Sequence, residues 1–593
     1  MSPEEISIIK SRIEEKHQGD SRQLEVIFSP DKRLLVEAPA GHGKTHTMVS
    51  RIAYLIAIGK IPVPKRLLAL TFSVNAAYKI KKDVIKNIPE LLDGFDKQIN
   101  IKEKTYISNY HGFCRSVLKK YGHILHPALS NLDILQSVDD SRSDNIMRSF
   151  KNISLNDADV LSNYNSAVKE IKGRYLSENI NEYNSVVIAE LLQKDAIPFN
   201  AIITLTIKLF QEHPGILAFY QNYYTTILVD EFQDTNLLSY WLLHYLISEK
   251  SNVLFLGDSL QRIYGFIGAV PNLLSHAKKK FNLDLISLEK NYRFASNDNM
   301  LQLDKIIRQN ALTPFYNPDK LNSKVEFGIY EDQPTESLEV VKKSMKILRK
   351  NISSNLAILA KQRGPNIEQI INTFNHNNIP FFYGLFTDED AEYIKFNKKC
   401  LYEFIEILKI NTKVTKKTGK IHVEKIQQLY LDDDSALLKA LLELLHIFWS
   451  RLFVDYPHLS NEDKINLVRD TFEHNGIKQY MEFLSAKIII STVHAAKGLE
   501  WDFVILPDME KDLFPNWGGL CSKCKCGDNC NMVINKEIEK AFLEELSVFY
   551  VAVTRARKQV YFTASNTQFT RNGIYEKNYS CFMRLPGIEF VKK

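Results

Sequence analysis

The sequence predicts an α/β fold built on parallel sheets with helices on both faces, and three observations carry that prediction. The first is the order apolar strand, glycine-containing loop, helix in "LLVEAPAGHGKTHTMVSRIAYL", Leu34 to Leu55. The second is another apolar, β-branched run, Thr226 to Val229, that ends in two acids. The third is composition: 593 residues, 45% hydrophobic and 25% charged, the balance of a globular chain with several cores and a length that suggests about four domains of roughly 150 residues.

Composition also bounds the function classes. The N-terminal "MSPEEISIIKSRIEEKHQ" is charged and helix-periodic with no apolar h-region, and no window reaches eighteen uncharged apolar residues. Neither secretion nor membrane insertion is signalled, so the expectation is a cytoplasmic protein with no membrane partner, whose thiols stay reduced. Net charge is only +6, from 76 Lys+Arg against 70 Asp+Glu. That is compatible with nucleic acid if a basic groove is local.

Taking the elements in order, Leu34 to Glu37 read as a buried strand, Ala38 to Gly43 as a loop, and the i, i+3, i+4 pattern from Thr45 through Ile52 and Leu55 as a helix. A phosphate-binding loop requires that order. Gly41 and Gly43 let the backbone N–H groups of Ala40 to His46 turn toward phosphates at a helix N-terminus; Lys44 adds a point charge at the β/γ oxygens and Thr45 a hydroxyl for Mg²⁺. The loop opens on Ala38 rather than Gly, with Pro39 next, which is tolerated at negative φ. The run Thr226 to Val229 is expected beside the loop strand, delivering Asp230 to hold Mg²⁺ and Glu231 to polarise the attacking water.

At "DEFQDTN" the chain resembles the superfamily 1A DNA helicases of the UvrD/Rep/PcrA group. Further blocks follow the family's order: "SRQLEVIF" is similar to the Q motif, "LLALTFSVNAAYKI" and "SNYHGFCRSVL" to motifs Ia and Ib, and "LFLGDSLQRIYGFIGA" to motif III. "LEKNYRF", "IIISTVHAAKGLEWDFVILP" and "ELSVFYVAVTRARKQVYF" are similar to motifs IV, V and VI. Ordered blocks from residue 23 to 562 are far more specific than one motif.

The resemblance implies two RecA-like P-loop lobes, each with an inserted, mainly helical accessory domain. The first lobe takes residues 1–118 and 200–276 around an insertion at 119–199; the second takes 277–386 and 485–593 around a reduced insertion at 387–484. It also implies site roles. Gln23 contacts adenine, Tyr292 stacks on it and Glu500 meets the ribose; Gln261 senses the γ-phosphate, and Arg293 and Arg555 neutralise the transferring phosphoryl group. Phe72, His111, Tyr264, Phe266 and His494 fall where the family contacts DNA, where stacking on aromatic rings tolerates any base. One departure is Ile267, at a position where the family carries an arginine; Arg262 or Lys361 could compensate.

Two stretches read from their own residues. "KINTKVTKKTGKIHVEKIQQ", 409–428, reads as a solvated loop or hairpin edge, or as a phosphate-contacting surface. "LCSKCKCGDNCNM" places Cys521, Cys524, Cys526 and Cys530, four of the chain's seven cysteines, within residues 521–530, while Cys114, Cys400 and Cys581 stand alone. The spacing suits a structural Zn²⁺ with four thiolates and no open position; reduced thiols and an iron–sulfur cluster are the alternatives.

The functional expectation is therefore an ATP- and Mg²⁺-dependent translocase or helicase on single-stranded or tailed duplex DNA, of 3′ to 5′ polarity by resemblance, acting in repair or anti-phage defence. The alternative is a helicase-like regulatory ATPase that senses DNA and controls a separately encoded nuclease, as in UvrD-like subunits of phage-defence systems such as Gabija. An inactive DNA-binding scaffold is disfavoured, because Lys44, Thr45, Asp230, Glu231, Gln261, Arg293 and Arg555 are all present.

Overall fold

The computed structural model describes residues 2–94, 100–262, 268–270, 272–312, 321–388, 390–457, 459–524, 534–570 and 573–592. Among these, the strands Thr105–Asn109, Arg66–Thr71, Tyr224–Asp230, Asn252–Gly257, Arg33–Glu37 and Asp284–Ser287 lie in that order in one sheet, all parallel. The central strands are buried along most of their length and apolar in their middles, because helices cover both faces.

Two sequence expectations are corrected here. The strand ending in Asp230 does not neighbour the loop strand: Asn252–Gly257 lies between them. Its acids reach the site because parallel strands end on one sheet edge, so a strand one place removed still delivers its carboxylates there. The first sheet also runs past the boundary drawn at residue 276, since Asp284–Ser287 pairs with Arg33–Glu37.

The helix Lys44–Ala57 is buried along almost its whole length, from Thr47 to Ala57, because it is enclosed by the sheet and by helices Pro3–Lys16, Ser21–Phe28 and Val74–Leu91. Its fully buried Met48 and Ile52 each contribute about 1.5–3 kcal/mol. That burial anchors the phosphate loop at its N-terminus.

The second sheet orders Phe382–Gly384, Ile488–Thr492, Leu356–Ala360, Trp501–Leu506, Ala556–Thr570, Ser323–Asp332 and Ile588–Lys592, again parallel, with Gly573–Glu576 antiparallel on Ala556–Thr570. The segment from Tyr110–Tyr121 to Phe199–Glu212 is helical apart from a short strand pair, Gln136–Val138 with Ala196–Pro198. Helices Ala391–Ile410, Lys416–Gln428, Ala436–Val454 and Asn461–Glu473 make up most of the other insertion. No helix among the described residues is long and apolar enough to cross a membrane.

The lysine-rich stretch 409–428 is not a loop or hairpin edge: it holds the helix Lys416–Gln428, opened by a capping box between Thr415 and Thr418. Lys416, Lys417 and Lys420 point outward while Thr418, Gly419, His422, Val423 and Ile426 form a buried face. A Cβ at Gly419 would lie 2.7 Å from the Trp449 ring, so the glycine is there for close helix approach. His422 accepts from Trp449 Nε1 at 3.0 Å and donates from Nε2 to the Cys400 carbonyl at 2.7 Å. Lysine is a good helix former, and the buried stripe was hidden by its polar members.

This insertion is tied to the first lobe. Arg115, 2% exposed, pairs with both Asp470 and Glu473, themselves nearly buried. Lys81 pairs with Asp463 at 3.1 Å, and Tyr78 Oη donates to the Asp463 carbonyl at 2.9 Å.

Candidate nucleotide and nucleic-acid site

The phosphate loop is shaped by its glycines. Gly41 and Gly43 have φ of 78° and 76°, a region that side-chain-bearing residues avoid. Space excludes a side chain too: a Cβ at Gly41 would lie 2.6 Å from Arg293 Cβ, and one at Gly43 2.5 Å from Gln23 Nε2. The loop is thus wedged between the Q-motif glutamine and the segment Asn291 to Arg293, whose Tyr292 N–H donates to the Gly41 carbonyl at 2.8 Å.

Lys44 Nζ lies 2.9 Å from Glu231 Oε1. Burial alone raises the Glu231 carboxyl, but the Lys44 and Lys497 ammonium groups outweigh it and hold this acid below the usual carboxylate range. Asp230 moves the other way, pushed up by burial and by the adjacent Glu231 charge. A hydrogen bond with the Thr45 side chain opposes that rise. A buried carboxylate beside a hydroxyl, incompletely compensated by cations, fits the oxygen donor set of Mg²⁺.

Hydrogen bonds run from this acid pair across the cleft. Gln233 Nε2 donates to Glu231 Oε2 at 2.5 Å, and the Asp258 N–H donates to Gln233 Oε1 at 3.0 Å. The fully buried Asp258 carboxylate accepts from Gln261 Nε2 at 2.9 Å and from Arg308 Nη1 at 2.8 Å. Lys497 Nζ donates to the Gln261 carbonyl at 2.9 Å and to Asp234 at 2.7 Å. Gln261, expected to sense the γ-phosphate, is therefore held by the Asp258 carboxylate at its side chain and by the Lys497 ammonium at its carbonyl, while Arg308 grips the same Asp258. Sequence reasoning missed Gln233, Asp258, Arg308 and Lys497. Lys497 stood inside the motif V block and could have been found; Arg308 sits in the helix Asp298–Leu312 with no signal.

The arginines converge as well. Arg293 Nη1 donates to the Thr554 carbonyl at 2.6 Å and Nη2 pairs with Glu500. Arg555, 3% exposed, donates from Nε to the Val551 carbonyl at 2.9 Å and from Nη1 to the Leu499 carbonyl at 3.2 Å. Burial, then the Arg293 charge, lowers its guanidinium to about 10. Glu500, expected at the ribose, is held by Arg293 here. Tyr292 Oη donates to Asp20 Oδ2 at 2.7 Å, at the N-cap of the Gln23 helix.

The candidate DNA residues are less uniform. Phe72 and His494 are half-buried. His111 is no surface contact: its ring stacks on Phe199 at 3.6 Å and meets His474 edge-on at 5.3 Å, and its Nε2 has no hydrogen-bond partner among the described residues. Burial, then the His474 charge, holds His111 well below the ordinary histidine range. Tyr264, Phe266 and Ile267 lie outside the described residues. Of the side chains proposed to compensate for Ile267, Lys361 pairs with Glu545, and Arg262 lies 3.9 Å from Glu544.

Cys521 Sγ donates to the Pro515 carbonyl at 3.3 Å and accepts from the Asp512 N–H at 3.4 Å. Cys526 and Cys530 lie outside the described residues, among which no group of three or more His, Cys, Asp or Glu is placed to hold a metal ion.

Two family models match the chain: the UvrD/REP helicase N-terminal domain over residues 20–282 and the UvrD-like helicase C-terminal domain over residues 387–567. Similar curated proteins include the ATP-dependent DNA helicase PcrA of Staphylococcus epidermidis, 25% identical over 640 aligned positions, covering 93% of this chain and 83% of the relative. The protein of the same name from Staphylococcus aureus is 24% identical over 662 positions with the same coverage.

Proposed function

This chain belongs to the UvrD/Rep/PcrA-like superfamily 1A helicases, and from that premise we propose that it hydrolyses ATP to move along single-stranded DNA with 3′ to 5′ polarity and unwind tailed duplexes. In this reading the two sheets are the motor lobes, and segments 119–199 and 387–484 are their insertions. The observation that carries it is the hydrogen-bonded chain from Lys44 and Glu231 through Gln233 and Asp258 to Gln261, Arg308 and Lys497. Such a chain lets the state of the phosphate reach the second lobe.

The chemistry follows from the resting pairs. The loop N–H groups and Lys44 receive the β/γ-phosphates, which competes for the lysine charge now spent on Glu231. Glu231, kept anionic, then orients a water for in-line attack on the γ-phosphorus and takes its proton as ADP leaves. Arg293 and Arg555 supply positive charge at the transferring oxygens. Thr45 and Asp230 would hold Mg²⁺, which would add neutralisation of the β/γ oxygens when bound.

ATP turnover is expected to rise with single-stranded DNA. Tyr264→Ala or Phe266→Ala raises the DNA concentration for half-maximal stimulation about tenfold, since stacking contributes roughly 1–3 kcal/mol per base. Equal stimulation by blunt duplex contradicts the stacking groove. ATP-dependent unwinding of a 3′-tailed duplex, absent on a 5′-tailed one, tests the polarity.

A second reading is a regulatory ATPase that controls a separate nuclease, in repair or anti-phage defence. The Arg115 pairs with Asp470 and Glu473, which tie the reduced insertion to the first lobe, support it. ATP turnover on DNA without strand separation selects this reading over the first.

The four-cysteine loop carries its own expectation: about one zinc per chain by elemental analysis, released by Cys521→Ser with Cys524→Ser. Metal-free, fully active protein assigns ordinary thiols.

A further inference from the structure

We propose that His17 is a specificity-determining positioning residue that fixes the amide orientation of Gln23, so that the nucleotide site accepts adenine and rejects guanine. The inference rests on the reading of this cleft as an ATP site and goes beyond it by naming what sets the base preference.

His17 caps the first helix, Pro3–Lys16, and is 1% exposed. Its Nδ1 meets Gln23 Oε1, and its Nε2 lies 2.8 Å from Ser50 Oγ. From the other side, Gln23 Nε2 donates to the His42 carbonyl of the phosphate loop at 3.0 Å. These contacts leave one consistent assignment. A carbonyl accepts only from the NH₂ end of the amide, so the His42 carbonyl on one side and His17 on the other together decide which end of Gln23 faces the loop. Gln23 Oε1 then requires a donor, which is His17 Nδ1–H, and Nε2 accepts the Ser50 hydroxyl proton. His46 stacks on the His17 ring at 4.2 Å and 19°, holding its plane. Burial lowers the His17 imidazole, the direction that this neutral tautomer requires.

Gln23 keeps one lone pair on Oε1 and one N–H on Nε2. Adenine presents an amino donor at N6 beside an acceptor at N7, which pair with both. Guanine presents two acceptors, O6 and N7, and sets O6 against Oε1. A flipped amide has the opposite preference, so the base choice resides in the orientation, which Gln23 alone does not determine. A Cβ at Gly43 would lie 2.5 Å from Gln23 Nε2 and 3.8 Å from the Tyr292 ring, so the glutamine, the loop and the expected stacking tyrosine converge.

The test measures kcat/KM for ATP and for GTP, with competition binding of ADP and GDP. His17→Phe keeps the ring stack and volume but removes the donor. The ATP-over-GTP ratio is expected to fall about tenfold, with the loss in KM for ATP rather than in kcat. His17→Asn, which returns an N–H near the Nδ1 position, restores the ratio. Ser50→Ala frees the tautomer and lowers it partly. A wild-type ratio in His17→Phe alongside a lost ratio in Gln23→Ala overturns the proposal, as does a wild type that uses both nucleotides equally. If His17→Phe does not fold, Ser50→Ala decides, an unchanged ratio overturning the proposal. A wild type that hydrolyses no nucleotide sinks the ATP reading itself, which is a different result.

Discussion

Glu231→Gln is expected to bind ATP with near-native affinity and to lose turnover by a factor on the order of 10³ or more, while Lys44→Ala loses both tight binding and turnover. The difference follows from position. Among the described residues, Glu231 touches the phosphate cradle through Lys44 Nζ, at 2.9 Å. An isosteric amide keeps the cavity shape and an acceptor for one of the two donors, Lys44 Nζ or Gln233 Nε2, but cannot take a proton from water. Removing Lys44 takes away the charge for the β/γ oxygens and also one of the two cations that hold Glu231 down. Phosphate release under saturating DNA, with fluorescent-nucleotide binding, reads the two effects separately. Turnover within tenfold of wild type in Glu231→Gln assigns the base elsewhere.

Arg555→Ala is the second large effect: kcat is expected to fall on the order of 10³ with nucleotide affinity changed far less, because the charge matters most as the phosphoryl group transfers. Arg555→Lys is expected to rescue little. The guanidinium is fixed by the Val551 and Leu499 carbonyls and by Thr554 Oγ1, a fork that one ammonium cannot reproduce at 3% exposure. Arg293→Ala releases Glu500 and the Thr554 carbonyl, so its loss combines charge with a loosened ribose position. A single-turnover rate in Arg555→Ala within tenfold of wild type contradicts the assignment.

The sequence by itself determined the local chemistry of the nucleotide site. Strand, glycine loop and helix around Lys44 are contiguous, and the positive φ of Gly41 and Gly43 follows from a loop only glycine can make. Paired acids at a strand end were legible for the same reason. The tertiary structure alone decided what depends on neighbours distant in the chain: the strand between Thr226–Val229 and the loop strand, and the place of Asp284–Ser287 in the first sheet. It alone turned a lysine-rich stretch into a helix, by setting Gly419 and His422 against Trp449. It buried His111 beneath Phe199 and His474, brought Arg308 to Asp258, and set His17 against Gln23. Periodicity and motif spacing report a residue's own segment. Which buried polar atom finds a partner, and therefore which charges and orientations persist, is settled only when separate segments pack together and exclude water.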